Sequence, residues 1–361
     1  MSLSDDIHGA ATGDLEQRLS TSQRDNSRLR DQLGRAQEDI NHLQQLLDLV
    51  QKIEDINPNP PVWTVEPSTG KHRGTPLLFI TDTHFDEVVR PQEIMHLNAY
   101  NRVIAEQRLQ RAFEGSVKVC RDLLGNAYKY DGAVVVFGGD IVSGDIHDEL
   151  VRTNEVPTPA TVEYFIDPML AGLKLMREEF GKLHVVGVVG NHDRMGKKVP
   201  AKLRAIDSWT WLFYKILARE FRRHSTVTFD IPESPEAMLG VYDTRFLIHH
   251  GNDDRGGGGI SGAFAPVFRG DHKRRRRNMS AARATGNRDL EYDWQLIGHW
   301  HHRISAPGFI VGGCLKGYDE FARSIAVDYV PPSQELLVVT PERGVTFQIP
   351  VWVQDREAEG W

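Results

Sequence analysis

Cysteine is scarce in this sequence: among 361 residues only Cys120 and Cys314 occur. Two cysteines so far apart provide neither a disulfide framework nor a thiolate metal site, which is typical of proteins from a reducing compartment. Long apolar runs are also lacking, because no stretch approaches the roughly 20 residues that a membrane helix needs. The first residues lack the basic start and apolar segment of a secretion signal. We therefore expect a cytoplasmic protein without a membrane partner.

An excess of positive charge is missing as well. The formal net charge is −7 at pH 7, so no global basic field favours binding to nucleic acid. Any such interaction has to depend on a local basic patch. Hydrophobic residues make up 40% of the sequence, which is ample for the core of one large domain with an appendage, or of two domains.

A heptad repeat runs from Leu15 to Val50, within a segment, 15–56, that contains no proline. Its core positions alternate at steps of three and four residues, as in a coiled coil. One series is Leu19, Asn26, Leu33, Ile40 and Leu47, and the other is Leu15, Ser22, Leu29, Ala36, Leu43 and Val50. Asn26 favours a parallel two-stranded register, in which Asp25 faces Arg30 of the partner subunit. We expect a homodimer through a parallel coiled coil; the alternative is an amphipathic helix folded back on its own domain.

The rest of the chain divides at a proline-rich segment. Residues 1–14 precede the heptads, and we expect them to be a disordered N-terminus. The run Asn57-Pro-Asn-Pro-Pro61 ends the helix, because proline lacks the amide hydrogen and restricts the residue before it. We interpret 57–75 as a semi-rigid linker. A catalytic domain over 76–355 follows, with a basic insertion at 252–297.

Within that domain, short apolar runs alternate with segments of helical spacing. Helices are predicted for Tyr100–Leu124, for Thr161–Phe180 and from Trp209 onward. Late strands are predicted for Phe309–Cys314, Glu335–Thr340 and Val345–Trp352. Buried strands that alternate with helices indicate an α/β layered core.

Five apolar runs each lead into a short motif that contains side chains able to bind metal. The motifs are Asp82-Thr-His84, Gly138-Gly-Asp140, Gly190-Asn-His-Asp193, His249-His-Gly251 and Gly298-His-Trp-His301. The candidate ligands are Asp82, His84, Asp140, Asn191, His192, His250, His299 and His301. Imidazole, carboxylate and amide groups without thiolate suit Mn, Fe, Zn or Co. So many ligands indicate two ions, which would activate a water and clamp a phosphoryl group.

These motifs resemble, in kind and in order, those of the calcineurin-like metallophosphoesterase family: D-x-H, G-D, G-N-H-D or G-N-H-E, a His before Gly, and G-H-x-H. They span most of residues 77–302. The resemblance implies an α/β fold in which two mixed sheets pack face to face with helices outside, an αββα sandwich. Of the adjacent His249 and His250, only one can face the metals on a strand of period two, and the position before Gly251 favours His250.

The resemblance also implies the roles of the site residues. It assigns one divalent ion to Asp82, His84, Asp140 and His301, and the other to Asp140, Asn191, His250 and His299, with Asp140 as the bridge. His192 would be the non-ligand that stabilises the transition state and protonates the leaving oxygen, with Asp193 holding its orientation. Mn is the expected metal, and Fe, Zn, Co or Ni are the alternatives.

Two features bear on the substrate. Serine/threonine phosphatases of the family follow the second motif with Asp-Arg-Gly, whereas Ser143 and Gly144 stand where that Asp and Arg would be, which disfavours that branch. The insertion 252–297 carries a basic run that lies between two metal-ligand motifs, so we expect it near the active-site face. The predicted substrate-binding residues are Arg194, Lys273, Arg274, Arg275, Arg276 and Arg277. A solvated charged helix is the alternative interpretation of that run.

These observations predict a two-metal phosphodiester hydrolase that acts on DNA or RNA, that is, a nuclease. The alternative enzyme is a nucleotide or cyclic-nucleotide phosphodiesterase, or a small-substrate phosphatase, in which the arginines bind the phosphates of a nucleotide. A hypothesis from another class is a coiled-coil scaffold with incidental phosphoesterase activity. The complete ligand set argues against the scaffold, because a purely structural protein has no need of every ligand.

Overall fold

The computed structural model describes residues 3–54, 71–255, 262 and 264–361. The chain divides into two compact units, Met1–Ser68 and Thr69–Trp361. No helix among the described residues is both long enough and apolar enough to cross a membrane.

In the first unit, the described residues form the helix α1 (Leu3–Glu54), which spans 52 residues. It includes residues 3–14, for which the sequence predicts a disordered N-terminus. No proline occurs before Pro58, so nothing in this segment removes a backbone donor from the helix. Most of the predicted linker at 57–75 lies outside the described residues, and its last residues, from His72, already belong to the first strand.

The second unit consists of strands that alternate with helices. Its strands are β1 (His72–Ile80), β2 (Tyr128–Tyr130), β3 (Ala133–Phe137), β4 (Leu183–Gly187), β5 (Val227–Asp230), β6 (Glu236–Val241), β7 (Thr244–His249), β8 (Trp294–Ile297), β9 (Ile304–Ala306), β10 (Phe309–Val311), β11 (Ser333–Thr340) and β12 (Gly344–Trp352). Its α-helices are α2 (Arg102–Lys118), α3 (Asp148–Thr153), α4 (Thr158–Phe180), α5 (Trp209–Glu220), α6 (Phe264–Thr285), α7 (Glu320–Ser324) and α8 (Arg356–Glu359).

The first sheet has the strand order β12-β11-β1-β3-β4-β5, and β2 pairs with the start of β1. The strands β1, β3, β4 and β5 are parallel to one another, whereas β11 and β12 run antiparallel at one side. Every residue of β3 is buried. Its continuous apolar sequence is what a parallel strand needs when both faces of its sheet are covered.

The second sheet has the order β6-β7-β8-β10-β9. The strands β7 and β8 are parallel, so the chain must cross over between them, as parallel pairs require. Helix α6 lies in that crossover and occupies much of the basic insertion predicted at 252–297.

Three apolar layers hold these elements together. On the outer face of the first sheet, Leu78 belongs to the same buried cluster as Phe165 of α4. Between the sheets, Phe79 of the first clusters with Ile248 of the second. Val267 of α6 packs on the other face of the second sheet. The arrangement is helix, sheet, sheet, helix, which confirms the predicted αββα sandwich.

The predicted elements of the domain are confirmed as α2, α4, α5, β10, β11 and β12, with ends that differ by a few residues. The compact unit continues past the predicted domain end at 355, because α8 places Glu359 against Arg108. Their side chains form a fully buried ion pair of 2.8 Å.

Candidate metal centre

The candidate ligands lie together because their motifs follow strands that end at the same edge. In the first sheet, the parallel strands β1, β3 and β4 are followed by the motifs of Asp82, Asp140 and Asn191. In the second sheet, the parallel strands β7 and β8 are followed by those of His250 and His299. The carboxyl ends of parallel strands form the edge at which open α/β sheets bind their ligands.

One group of potential metal ligands consists of Asp82, His84 and His301, whose ligand atoms all lie within 4.8 Å of one another. The Nε2 atoms of His84 and His301 are 3.2 Å apart, and Nε2 of His301 lies 3.4 Å from Oδ1 of Asp82. Burial by itself would raise the pKa of Asp82, but the imidazoles of His301 and His250 together lower that pKa. Three donor atoms are therefore close enough to share one cation.

A second group consists of Asp140, His250 and His299, again with ligand atoms within 4.8 Å of one another. Nδ1 of His250 lies 2.9 Å from the carbonyl oxygen of Gly138, and its Nε2 lies 2.8 Å from Oδ2 of Asp140. Burial would lower the pKa of His250, but the carboxylate of Asp140 raises it to about 9. This electrostatic environment favours a positive charge between the imidazole and the carboxylate.

Buried atoms without partners test whether these residues fit metal ions. Among the described residues, Oδ2 of Asp140 and Nε2 of His250 face each other at 2.8 Å with no other hydrogen-bond partner, and Oδ1 of Asn191 is buried without any partner. A buried polar atom left in this way costs about 1–3 kcal/mol, and a divalent cation would provide the missing partner. Oxygen and imidazole donors suit Mn, Fe, Zn, Co or Ni. The residues fit a dinuclear divalent centre, whereas the bridging role of Asp140 stays a prediction.

The backbone at this edge is strained, and glycine makes its close approaches possible. Five candidate ligands have a positive φ, namely Asp82 (52°), His84 (48°), Asp140 (50°), His299 (72°) and His301 (55°). Such conformations cost about 1–3 kcal/mol each outside glycine and cluster at functional sites. A Cβ on Gly190 would lie 2.0 Å from Oδ1 of Asp140, and one on Gly298 would lie 2.1 Å from Oγ1 of Thr81. These contacts explain why glycine precedes the ligands in both motifs.

His192 lies beside the ligands and is held by backbone groups. Its Nδ1 is 2.9 Å from the carbonyl oxygen of Ser143, and its backbone N–H donates to Oδ1 of Asp140 at 2.7 Å. Its ring packs edge-on against that of His84, with 5.1 Å between the ring centres. Burial lowers the pKa of His192, although Asp140 opposes that shift. The ring is thus fixed in place without taking part in either ligand group.

Within the described part of the chain, no hydrogen bond joins the carboxylate of Asp193 to the ring of His192. Its carboxylate accepts the backbone N–H groups of Asp140 and Ile141, both at 2.9 Å, and that of Gly190 at 2.6 Å. Burial and the neighbouring charge of Asp140 raise the pKa of Asp193 to about 6. Asp193 therefore positions the turn that carries Asp140. The carbonyl of Ser143, not Asp193 as the resemblance implied, orients the ring of His192.

Sequence reasoning did not find the support behind His84. Oγ of Ser143 lies 2.8 Å from Nδ1 of His84 and 2.5 Å from Oε2 of Glu87. The buried Lys316 in turn donates to Oε1 of Glu87 at 2.8 Å. One feature of the sequence, the position of Ser143 three residues after Asp140, draws attention to this residue. That position bears on the branch of the family and predicts no contact with His84.

His249 faces away from the metal groups, as the strand period predicts for one member of the pair. Its Nε2 lies 2.8 Å from Oε1 of the buried Gln295, and burial lowers its pKa well below the ordinary value. His250 alone is among the ligand candidates.

The predicted substrate-binding residues divide into partnered and exposed side chains. Arg194 donates to three carbonyl oxygens of its own loop, those of Asn191, Gly196 and Lys197. On α6, Arg274 pairs with Asp254 at 2.9 Å, Arg275 with Asp271 at 2.9 Å, and Arg277 with Glu236 at 2.5 Å. Lys273 and Arg276 are exposed on the same helix. Of these six side chains, Arg194 reaches a metal-ligand candidate, because its guanidinium donates to the backbone carbonyl of Asn191.

Comparison with known proteins gives the same family. The model of the calcineurin-like phosphoesterase family matches residues 75–303, whereas no curated protein matches the sequence. Similar solved structures include a dimetal phosphatase from Danio rerio, at 11% identity over 78% of this chain and 99% of that chain, with a TM-score of 0.36. They also include a zinc complex of Vps29 from Entamoeba histolytica, at 13% identity over 76% and 99% of the two chains, with a TM-score of 0.28.

A third is the sulfate thiohydrolase SoxB from Thermus thermophilus, at 13% identity over 79% of this chain and 58% of that chain, with a TM-score of 0.31. These identities and scores are too low to indicate a substrate. The family model, however, covers more than half of the chain, and the dinuclear ligand arrangement lies within the matched residues. The chain therefore belongs to the calcineurin-like phosphoesterase family and is a metal-dependent phosphoesterase.

Proposed function

We propose that this protein hydrolyses phosphodiester bonds in nucleic acid and uses two divalent ions, with Mn as the metal. The observation that carries the proposal is the position of exposed cations on α6. That helix lies between two metal-ligand motifs in the chain, and Lys273 and Arg276 project from it into solvent. Exposed cations on a phosphoesterase domain are groups that a polyanionic backbone would contact, with release of its counterions.

The ion pairs of α6 reduce the number of its cations that can contact a substrate. Arg274 is 8% exposed and is bound to Asp254, so its charge is compensated inside the fold. Arg275 and Arg277 are likewise paired with Asp271 and Glu236. Lys273 and Arg276 are thus the members of the basic run that are best suited to contact a substrate, and the paired arginines fix the helix on the second sheet.

The residues of the centre have separate tasks in such a reaction. When bound, the two ions would supply an activated water and stabilise the charge on the phosphoryl oxygens. As the imidazolium, His192 would protonate the leaving oxygen: its Nδ1–H donates to the carbonyl of Ser143 at 2.9 Å, and the proton on its Nε2 is the one transferred, which leaves the ring neutral. The hydrogen bond from the backbone N–H of His192 to Oδ1 of Asp140, at 2.7 Å, holds this general acid in a fixed position relative to the ligands.

The first test is a hydrolysis panel with added Mn. The substrates are single- and double-stranded DNA, RNA, a cyclic nucleotide, a small chromogenic diester and a monoester. Asp140→Asn is the inactive control, because it removes charge from the ligand group. Polynucleotide cleavage that is lost in the control supports a nuclease. Hydrolysis of small esters alone rejects the nuclease and leaves the nucleotide phosphodiesterase or small-substrate phosphatase.

The second test separates the α6 surface from the chemistry. Replacing Lys273 and Arg276 by Ala should weaken polynucleotide binding and lower its log–log salt slope by about two, one for each phosphate contact. Turnover of the chromogenic diester should stay unchanged. A double replacement of the exposed Arg222 and Arg223 removes the same charge beyond the end of α5 and is the matched control. Equal losses in both double variants, or on both substrates, contradict a binding role for α6.

The metal is tested by chelation followed by reconstitution. Activity should disappear with the ions and return most fully with Mn when Mn, Fe, Zn, Co and Ni are compared at equal free concentration. A higher activity with another of these metals would replace Mn in the proposal without changing the assignment of the ligands.

A further inference from the structure

Helix α1 exposes an apolar stripe, interrupted by a few small or polar residues, that the catalytic chemistry does not use. The stripe comprises Leu15, Leu19, Leu29, Leu33, Ile40 and Leu43, whose exposed fractions range from 46% to 71%. These residues occupy the two core series of the heptad repeat. A helix with such a stripe and polar residues elsewhere obtains its stability from packing the stripe, not from helix propensity.

The composition of the stripe indicates a single partner helix. Its steps of three and four residues keep it along one seam, as knobs-into-holes packing requires. Ser22, Asn26 and Ala36 fill core positions between these apolar residues. These side chains are too small or too polar for the broad face of a globular core, but a two-helix seam accommodates them. An asparagine at such a position specifies a two-stranded, in-register pair, because the two amides can bond to each other.

The charges beside the stripe agree with two copies in the same direction. In a parallel pair, the position of Asp25 lies opposite that of Arg30 in the next heptad of the other copy, which gives an attractive contact on each side of the seam. The other flanking positions that would meet in this register include Arg18 with Gln23, Gln32 with Gln37, and Asp39 with Gln44. None of these pairs brings like charges together.

We propose that α1 binds the α1 helix of a second copy of this chain as a parallel, in-register coiled coil. The occupant of the apolar stripe is therefore the same stripe of another molecule. Both chains then leave the pair at the same end. The proposal is independent of the substrate and of the metal.

The oligomeric state of the full chain is the first test. Light scattering after size exclusion should give twice the 40.8 kDa of one chain. Replacing Leu33 and Ile40 by Glu should give the mass of a single chain. Replacing Ser27 and Asn41 by Glu adds the same charge on the outer face of the helix, and this control should remain a dimer. A monomeric unmodified chain, a trimer or tetramer, or an unchanged mass in the core variant overturns the proposal.

A cross-link tests the register. Leu19→Cys places a thiol near one end of the repeat, while Cys120 and Cys314 are buried. In the parallel register the two thiols are adjacent, and mild oxidation should convert most of the protein into a covalent dimer. In an antiparallel pair centred on Leu33 they would be roughly 40 Å apart at 1.5 Å per residue. A dimer that does not cross-link would overturn the parallel register, and the unmodified chain should not cross-link at all.

Discussion

Ser143→Ala removes a hydroxyl that connects a metal-ligand candidate to a buried carboxylate. Oγ of Ser143 lies 2.8 Å from Nδ1 of His84 and 2.5 Å from Oε2 of Glu87. The backbone carbonyl of residue 143, which holds Nδ1 of His192, remains in the variant. The substitution therefore separates the support of His84 from the support of His192.

We expect the loss to appear in metal binding by the group that contains His84. A partner that orients a metal-binding histidine typically contributes 10- to 100-fold in affinity, which corresponds to about 1.4–2.8 kcal/mol. Glu87 keeps its contact with Lys316 at 2.8 Å, so the carboxylate is not left unpaired. The free energy of unfolding should therefore fall by an amount near the lower end of the range of about 1–3 kcal/mol for a buried group that loses one partner.

Calorimetric titration of the metal-free protein with Mn measures this effect directly. One site should keep its affinity and the other should weaken by the expected factor, while activity should recover at saturating Mn. Ser116→Ala is the matched control, because Ser116 is also buried and donates to the carbonyl of Ala112 at 2.7 Å in α2. The control should leave both affinities unchanged.

Two results would refute the reasoning. Unchanged affinity at both sites would mean that the hydroxyl does not orient His84. An activity loss that no concentration of Mn restores would place the effect on the chemistry instead of on the metal.

Three further variants test single contacts. His192→Ala should keep its metal but lose about 10²- to 10⁴-fold in rate, most on substrates with poor leaving groups; metal loss in elemental analysis would make His192 a ligand. Gly190→Ala should lose metal, because the added Cβ would lie 2.0 Å from Oδ1 of Asp140. The control Gly196→Ala should keep its metal, because a Cβ there has no atom within 4 Å. Equal metal contents in the two variants would contradict this expectation. Glu359→Ala leaves Arg108 buried without its ion-pair partner, so the free energy of unfolding measured in urea should fall by about 3–5 kcal/mol. The control Glu357→Ala, at an exposed position, should lower it by about 0.5 kcal/mol or less. Similar small losses in both variants would show that α8 does not stabilise the domain.

The α/β core and the position of its candidate centre could be predicted because both follow from side-chain types. Apolar runs such as Ala133–Phe137 become buried strands, and the polar motif that follows each run lies at the carboxyl edge of its sheet. The resemblance then implied the two-sheet sandwich and the division of the candidate ligands between two ions. Asp82, His84 and His301, like Asp140, His250 and His299, lie within 4.8 Å of one another in the structure.

The ends of the domain were harder to predict, because they depend on contacts between distant segments. Nothing local to α8 shows that Glu359 reaches Arg108, which is 251 positions away in the sequence. The same holds for the arginines of α6. Their charge predicts a surface, but Arg274 and Arg277 pair with Asp254 and Glu236, which lie 20 and 41 positions away in the sequence.

The least predictable feature is the use of the backbone by the candidate catalytic residues. Every residue has a carbonyl, so no sequence pattern could show that the carbonyl of Ser143 would hold His192. The expectation that Asp193 would orient His192 came from the family resemblance. In the fold, the backbone N–H groups of Asp140, Ile141 and Gly190 bind that carboxylate instead. Because a carbonyl can orient imidazole as well as a carboxylate can, the absence of Asp at position 143 changes the charge near His192 without removing its support. This protein, which has Ser at position 143, therefore still has an oriented general acid. The Ser143→Ala variant keeps the carbonyl and should retain the orientation of His192.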